Sequence, residues 1–211
     1  MAKAAKNDLE IEVKFFLADE KLIRNKITAL GKVFKTKSFE FNIRYENQDE
    51  SLLSKRILLR LRKDNQVHLT VKTAPIAQQK QSEFKILREL EVTVDDFDKM
   101  NQILIALGFH QVQIYEKWRE TLVFDNTIIC LDSLPFGTFL EIEGSKEKIL
   151  STAKVFGLDW SCRILSNYLE IFEYLKKKER LDFNDLTFEN FKKHQIHFED
   201  YHHFFLVNKT I

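Results

Sequence analysis

Leu9-Glu10-Ile11-Glu12-Val13-Lys14-Phe15-Phe16 alternates apolar and charged side chains. On a β-strand successive side chains point to opposite faces. Glu10, Glu12 and Lys14 therefore share one face, and Leu9, Ile11, Val13 and Phe15 share the other. Alone, the pattern describes any antiparallel strand with one face in water. Whether the charged face is solvated or enclosed is decided by how the pattern returns along the chain.

It returns in Phe39 to Tyr45, where Phe39, Phe41, Ile43 and Tyr45 oppose Glu40, Asn42 and Arg44, before a polar loop from Asn47 to Lys55. Leu59 and Leu61 then oppose Arg60 and Arg62. A turn at Lys63 to Gln66 leads into His68, Thr70 and Lys72 opposed by Leu69 and Val71, which makes a hairpin. Beyond a polar loop, Ala74 to Ser82, Lys85, Leu87, Glu89, Glu91 and Thr93 share a face against Ile86, Leu90 and Val92, with Arg88 interrupting the apolar side. Lys117 and Arg119 oppose Trp118. Ile128 to Asp132, a turn at Ser133 to Gly137, and Phe139, Glu141 and Glu143 against Leu140 and Ile142 complete the strands.

Three amphipathic helices are predicted between them: Ala18 to Leu30, stopped by Gly31; Asp96 to Leu107, capped by Asp95 and stopped by Gly108; and Lys146 to Val155, ending near Gly157. The stretches Glu10 to Gly31 and Glu89 to Gly108 match each other: a Glu-x-Glu strand, an acidic cap, a helix, then Leu-Gly. Two pseudo-symmetric halves follow. About eight mostly antiparallel strands before Asp159 are the number that closes a small barrel. The fold class read from the sequence is α+β: an eight-stranded antiparallel tunnel with helices packed outside, over residues 1–178. A further helix, Leu165 to Lys178, leads into an aromatic-rich C-terminal extension, residues 179–211.

The formal net charge of +1, from 33 basic and 32 acidic residues, argues against nucleic acid as a partner, because a backbone-binding surface is unbalanced towards base. Two cysteines build no disulfide framework, Met1 to Asp8 is a short polar lead, and no run approaches a membrane span. A cytoplasmic, soluble protein with no membrane partner is expected. No Gly-rich phosphate loop is present, which excludes a P-loop enzyme.

The charged faces sort by sign. Glu10, Glu12, Glu89, Glu91, Asp132, Glu141 and Glu143 are acidic; Lys14, Arg44, Arg60, Arg62, Lys72, Lys85, Lys117 and Arg119 are basic. Same-sign pairs at i, i+2 are not what cross-strand pairing on a solvated sheet favours. Enclosed in a barrel, such residues require a wet interior, because isolated charges in a dry core are too costly. Clustered carboxylates supply hard oxygen ligands for Mg²⁺ or Mn²⁺, and arginine forks and lysines supply partners for phosphate oxygens. Together they describe a site for a metal-bound polyphosphate.

These residues carry a family resemblance. Glu10-Ile11-Glu12-Val13-Lys14 resembles the Glu-x-Glu-x-Lys signature of the CYTH superfamily, the triphosphate tunnel metalloenzymes, which include class IV adenylyl cyclases, thiamine triphosphatases and inorganic triphosphatases. Leu59-Arg60-Leu61-Arg62, Thr70-Val71-Lys72, Arg88-Glu89-Leu90-Glu91, Glu116-Lys117-Trp118-Arg119, Leu131-Asp132 and Phe139 to Gly144 are similar to the family pattern in order and spacing. The resemblance spans about Leu9 to Phe172, including Ser166-Asn167-Tyr168, where many members have Ser-Tyr. It implies that Glu10, Glu12, Asp132, Glu141 and Glu143 hold one or two divalent metals with Glu89 and Glu91 assisting. It implies that Lys14, Arg60, Arg62, Lys72, Lys117 and Arg119 grip a triphosphate, with Arg44 and Lys85 on the same basic faces. Glu10, Glu12, Lys14 and Lys72 are the implied catalytic core. Water attacking the terminal phosphorus gives a triphosphatase and a ribose 3′-hydroxyl attacking the α-phosphorus gives a cyclase; a module that binds a triphosphate or nucleotide without turnover is the third reading.

Cys130 falls on the inward face near Asp132 as a small filler, and the tail histidines His194, His197, His202 and His203 match no closed zinc site. Phe183, Phe188, Phe191, Phe198, Tyr201, Phe204 and Phe205 are too many to leave in water. They are expected to be covered by the tunnel's own outer wall or by a second copy of the chain in a homodimer. Loss of the tail is expected to leave the tunnel's metal-dependent activity in any soluble fraction.

Overall fold

The computed structural model describes residues 8–75 and 83–207. The polar lead before Asp8 and most of the loop from Ala74 to Ser82 lie outside these residues. The elements run β1 (Leu9–Phe16), α1 (Glu20–Ala29), β2 (Ser38–Glu46), α2 (Ser51–Ser54), β3 (Leu58–Lys63), β4 (Val67–Thr73), β5 (Lys85–Val94), α3 (Phe97–Ala106), β6 (His110–Phe124), β7 (Thr127–Leu134), β8 (Gly137–Glu143), α4 (Lys146–Val155), β9 (Arg163–Ile164), α5 (Tyr168–Glu179) and α6 (Phe188–Phe191). Among the described residues no helix is long and apolar enough to cross a membrane.

The strands are hydrogen-bonded in the order β5-β4-β3-β2-β6-β7-β8-β1, and β1 pairs with β5, which closes an eight-stranded antiparallel barrel; β9 is an added short strand on β1. The two halves expected from the sequence are visible in this order. Exchanging β1 with β5, β2 with β6, β3 with β7 and β4 with β8 maps six pairings of the barrel onto one another and β1–β5 and β2–β6 onto themselves, so these last are the two seams between halves.

Outside the barrel, apolar strand faces are covered by helices. Ile23 and Ile27 of α1 and Ile149 and Ala153 of α4 pack with Val13, Ile129 and Ile142. Leu104 of α3 packs with Ile43 and Leu61. Gly31 and Gly108 end α1 and α3 at φ +65° and +89°, a left-handed conformation that costs glycine little.

Three local readings are corrected. The loop from Asn47 to Lys55 contains α2, held by Glu46, whose carboxylate accepts from the Leu52 and Leu53 amides. The cap of α3 is Asp96, whose carboxylate accepts from the Lys99 amide, rather than Asp95. Helix α5 starts at Tyr168 instead of Leu165, because Asn167 and Glu170 form a capping box that fixes its first turn.

The tail folds back on its own barrel. Beta6 outruns β7, whose pairing with it begins at Trp118, and residues around Leu186 pair with the open edge: Leu186 donates to the Ile114 carbonyl and receives the Glu116 amide, both at 2.9 Å. The Asp185 carboxylate accepts from the Ile114 amide at 2.8 Å. Leu186, Phe191 and Phe198 are buried with Tyr115, Phe136, Phe139 and Phe172. Of the tail aromatics, Phe204 stays largely exposed.

Candidate active site

The residues of the sorted charged faces alternate with the outward apolar side chains; Glu10, Glu12, Lys14, Arg60, Lys117, Asp132 and Glu141 are buried, Glu91 is exposed, and the others are half-buried. The acidic residues are not gathered into one cluster. Among the described residues no group of three or more Asp, Glu, His or Cys side chains stands in a metal-binding arrangement. Instead, each of these carboxylates except Glu143 has a cation within 4 Å, and the pairs form two regions.

At one seam, Lys72 Nζ donates to both Glu10 oxygens at 2.6 and 2.7 Å and lies 3.2 Å from Glu89. Lys85 pairs with Glu12 at 2.5 Å. Glu143 stands across from Glu12 in the β1–β8 register. Burial, and after it the Glu12 carboxylate, push the Glu10 carboxyl from 4.5 to about 7 against the pull of Lys72. Burial and Glu12 likewise raise Glu143. Burial also works against ionisation of Glu12, but Lys85, Lys14 and Lys72 bring it below its ordinary range. In this region four carboxylates, Glu10, Glu12, Glu89 and Glu143, share two lysines, Lys72 and Lys85.

The second region is basic. Arg119 forks onto Asp132 at 2.6 and 2.5 Å and reaches Glu141 at 2.5 Å. Lys117 donates to Asp132 at 3.0 Å, and Lys14 pairs with Glu141 at 2.8 Å. Arg60 and Arg62 lie 3.5 Å from Glu91, which also accepts from Thr70 at 2.8 Å. Glu91 thus stands with the arginines, apart from Glu10 and Glu12. Arg44 stands across from Arg60 in the β2–β3 register and donates to Gln113 at 3.5 Å. Burial opposes the charge on Glu141, yet Lys14, Arg119 and Lys117 hold its carboxyl well below the usual range. Cys130 is buried between these groups, and burial pushes its thiol up to about 12, which suits a filler.

Several residues of the site were not singled out in the sequence. Glu40 is buried against Lys117 at 3.4 Å and Arg119 at 3.6 Å. Asn42, Thr70, Gln113 and Tyr115 line the same interior. Tyr168, placed by the α5 cap, donates its hydroxyl to Asp132 at 2.9 Å, and its ring lies 4.2 Å from Lys14 Nζ and 5.3 Å from Lys117 Nζ. Alternation would have found Glu40 and Asn42, which share a face with Arg44. Tyr168 comes from a helix outside the repeat, so alternation could not find it; its sequence signal is the resemblance at Ser166-Asn167-Tyr168.

The raised Glu10 carboxyl gives a pH test. Between about pH 4.5 and 7 the folded chain holds a proton on Glu10 that the unfolded chain has lost, so stability rises as pH falls through that window. Glu10→Gln removes the penalty felt at higher pH. Its stabilising effect at pH 8 is expected to exceed that at pH 5 by about 2 kcal/mol. Denaturant titrations at the two pH values check this, and an equal effect at both would show that burial and Glu12 do not raise the Glu10 carboxyl.

Comparison with known proteins gives a consistent picture. The family model described as the CYTH domain matches residues 8–156. The Methanocaldococcus jannaschii protein named "Putative adenylate cyclase MJ0240" is 28% identical over 175 residues, covering 77% of this chain and 98% of its own. The PH1012 protein of Pyrococcus horikoshii OT3 superimposes with a TM-score of 0.63 at 26% identity, over 76% of this chain and 98% of its own. HpAC1 of Hippeastrum, for which a dominant triphosphatase activity is recorded, shares the fold at a TM-score of 0.55 and 17% identity, over 78% of this chain and 95% of its own.

Proposed function

The chain belongs to the CYTH domain family, and from that premise we propose that it is a divalent-metal-dependent hydrolase of a triphosphate-bearing substrate. The observation that carries the reading is that one enclosed barrel holds both a carboxylate-rich region and a set of buried guanidinium and ammonium groups. The two halves are held differently: Arg60 and Arg62 stand 3.4–3.8 Å from Glu89, Glu91 and Asp64, while burial and the neighbouring Glu12 raise Glu10 and Glu143.

Glu10, Glu12, Glu89, Glu141 and Glu143 offer the hard oxygen donors that Mg²⁺ or Mn²⁺ takes, and Glu10 and Glu12 would exchange Lys72 and Lys85 for the metal. Asp132 fits this role less well, since its oxygens accept from three side chains, Arg119, Lys117 and Tyr168, against two for Glu141 and one for Glu10. A bound metal would supply neutralisation of charge on the phosphate oxygens. Lys72, if released from Glu10, would join Arg60, Arg62, Lys117 and Arg119 as a partner for the non-bridging oxygens. Lys14, buried over the Tyr168 ring, lies 2.8 Å from Glu141 at the wall of the same interior. Positioning and electrostatics are most of what phosphoryl transfer asks of a protein.

The second reading, cyclisation of ATP, is favoured by the name of the archaeal relative. Incubation with tripolyphosphate, ATP and thiamine triphosphate in Mg²⁺ or Mn²⁺ separates the readings. Orthophosphate, abolished by a chelator, is the expected product; cyclic AMP with pyrophosphate would replace the first reading by the second, and no product from any of them would leave a binding module. Arg62, only loosely held at 3.4 Å from Asp64 and 3.5 Å from Glu91, is available to substrate. Arg62→Ala is expected to cost about 2 kcal/mol of transition-state stabilisation, roughly 30-fold in kcat/KM. Unchanged kinetics would remove Arg62 from the site.

A further inference from the structure

The phosphate-class cations enclose an anion that phosphate binding does not call for. Glu40 lies within the fields of Lys117, Arg119, Arg62 and Arg60, and a carboxylate there repels the ligand those groups attract. Two positions along the same face of β2 lies Asn42, fully buried, across from Tyr115 on β6 and Arg62 on β3. The Asn42 amide nitrogen donates to the Tyr115 carbonyl at 3.3 Å, which fixes the orientation of the amide and leaves its oxygen without a hydrogen-bond partner. One Glu40 oxygen, Oε2, is likewise buried with no hydrogen bond, with the Lys117 ammonium 3.4 Å away as its ion-pair partner.

The chemistry of these two atoms differs from that of their surroundings. Arginine and lysine offer donors only. A water that attacks phosphorus must direct a lone pair at it and give its hydrogens to acceptors. In this basic region the Thr70 hydroxyl is spent between Arg60 and Glu91, and the Asp132 oxygens are spent on Arg119, Lys117 and Tyr168. We propose that Glu40 and Asn42 hold the attacking water, each accepting one of its hydrogens, while the surrounding cations hold the terminal phosphate; the assignment rests on the hydrolytic reading above.

The step balances without a further reactant. The water lone pair forms the new phosphorus–oxygen bond as the bond to the bridging oxygen breaks, and that bond's electron pair leaves on the diphosphate product. One hydrogen stays on the attacking oxygen and the other passes to a non-bridging oxygen of the same phosphate, which departs as dihydrogen phosphate. Glu40 does not keep the proton: burial works to raise its carboxyl, but the four cations outweigh it and hold it at about 2.

The test uses the full chain with Mg²⁺ or Mn²⁺, tripolyphosphate as substrate, and imidotriphosphate as the non-hydrolysed probe. Glu40→Gln and Asn42→Ala are each expected to lower kcat on the order of 100-fold through loss of nucleophile alignment. Probe affinity should be unchanged in Asn42→Ala, and unchanged or tighter in Glu40→Gln, since an anion has left the phosphate site. A kcat within threefold of wild type in both variants overturns the inference while the hydrolytic reading stands. So does a fall in kcat matched by an equal loss of probe affinity, which would make Glu40 only a support for Lys117 and Arg119. A wild-type protein that binds the probe but releases no orthophosphate removes the hydrolytic reading and the inference with it. Asn42→Ala carries the test alone if Glu40→Gln does not fold.

Discussion

Cutting the chain after Lys178 is expected to leave a protein that aggregates. The deleted segment carries Leu181, Leu186, Phe191, Ile196 and Phe198, all buried, and each such burial contributes ~1.5–3 kcal/mol before the ordering of the segment is deducted. The face it leaves is worse placed than the segment itself. Phe136, Phe139, Phe172 and Tyr115 would meet water together, a contiguous apolar patch of the kind monomers avoid. The edge of β6 would also lose the Leu186 pairing and the Asp185 cap on Ile114, and open strand edges seek other chains. The structure changes one expectation drawn from sequence. No charged tunnel residue lies beyond Lys178, yet the tail braces β6 next to Tyr115 and Gln113, so a soluble fraction is expected to lose activity as well. Soluble yield and light scattering check the deletion, and Phe198→Ala checks it more gently. Phe198 is fully buried and packs against Phe16, Phe136 and Phe139, so its truncation should cost about 3–5 kcal/mol. A deletion that stays soluble and unfolds at the parent's midpoint would show that the tail covers nothing.

The barrel was legible in the sequence because a strand's period of two writes its inward face as every second residue, and here that face is charged. Glu10-x-Glu12-x-Lys14 and Arg60-x-Arg62 could be read as one face without knowing what lay opposite. The two-fold relation was legible because the strand, acidic cap, helix and Leu-Gly stop recur together. What failed to show was anything set by long-range packing. The partner of each charge depends on barrel register: Lys72 meets Glu10 across the seam that β1 and β5 close, a contact no local pattern encodes. Glu40 was passed over since β2 mixes Glu40, Asn42 and Arg44 on one face and so lacks the same-sign pairing that marked the other strands. The tail's need for cover was evident from its phenylalanines, but its short helices and turns carry no period from which a docking face can be read.

Asp132→Asn is expected to be the most damaging single charge change in the tunnel. The Asp132 side chain is fully buried, and its two oxygens accept from Arg119 twice, from Lys117 and from the Tyr168 hydroxyl. An amide in its place keeps the volume but loses the charge, and it turns one acceptor into a donor facing donors. Arg119 and Lys117 would then be left with Glu40 at 3.4–3.6 Å and, for Arg119, Glu141 at 2.5 Å as counter-ions. Removing one partner of a buried ion cluster costs about 3–5 kcal/mol, since the remaining charges stay buried. For a chain of this length that corresponds to a fall of roughly 10 °C in Tm. Tyr168→Phe, which removes only one hydrogen bond to the same oxygen, should cost about 1 kcal/mol. The ordering of the two variants separates a charge keystone from a packing site: if Asp132→Asn melts within a degree or two of the parent, or above Tyr168→Phe, the carboxylate does not hold Arg119 and Lys117 together, and their positions in the tunnel need another explanation.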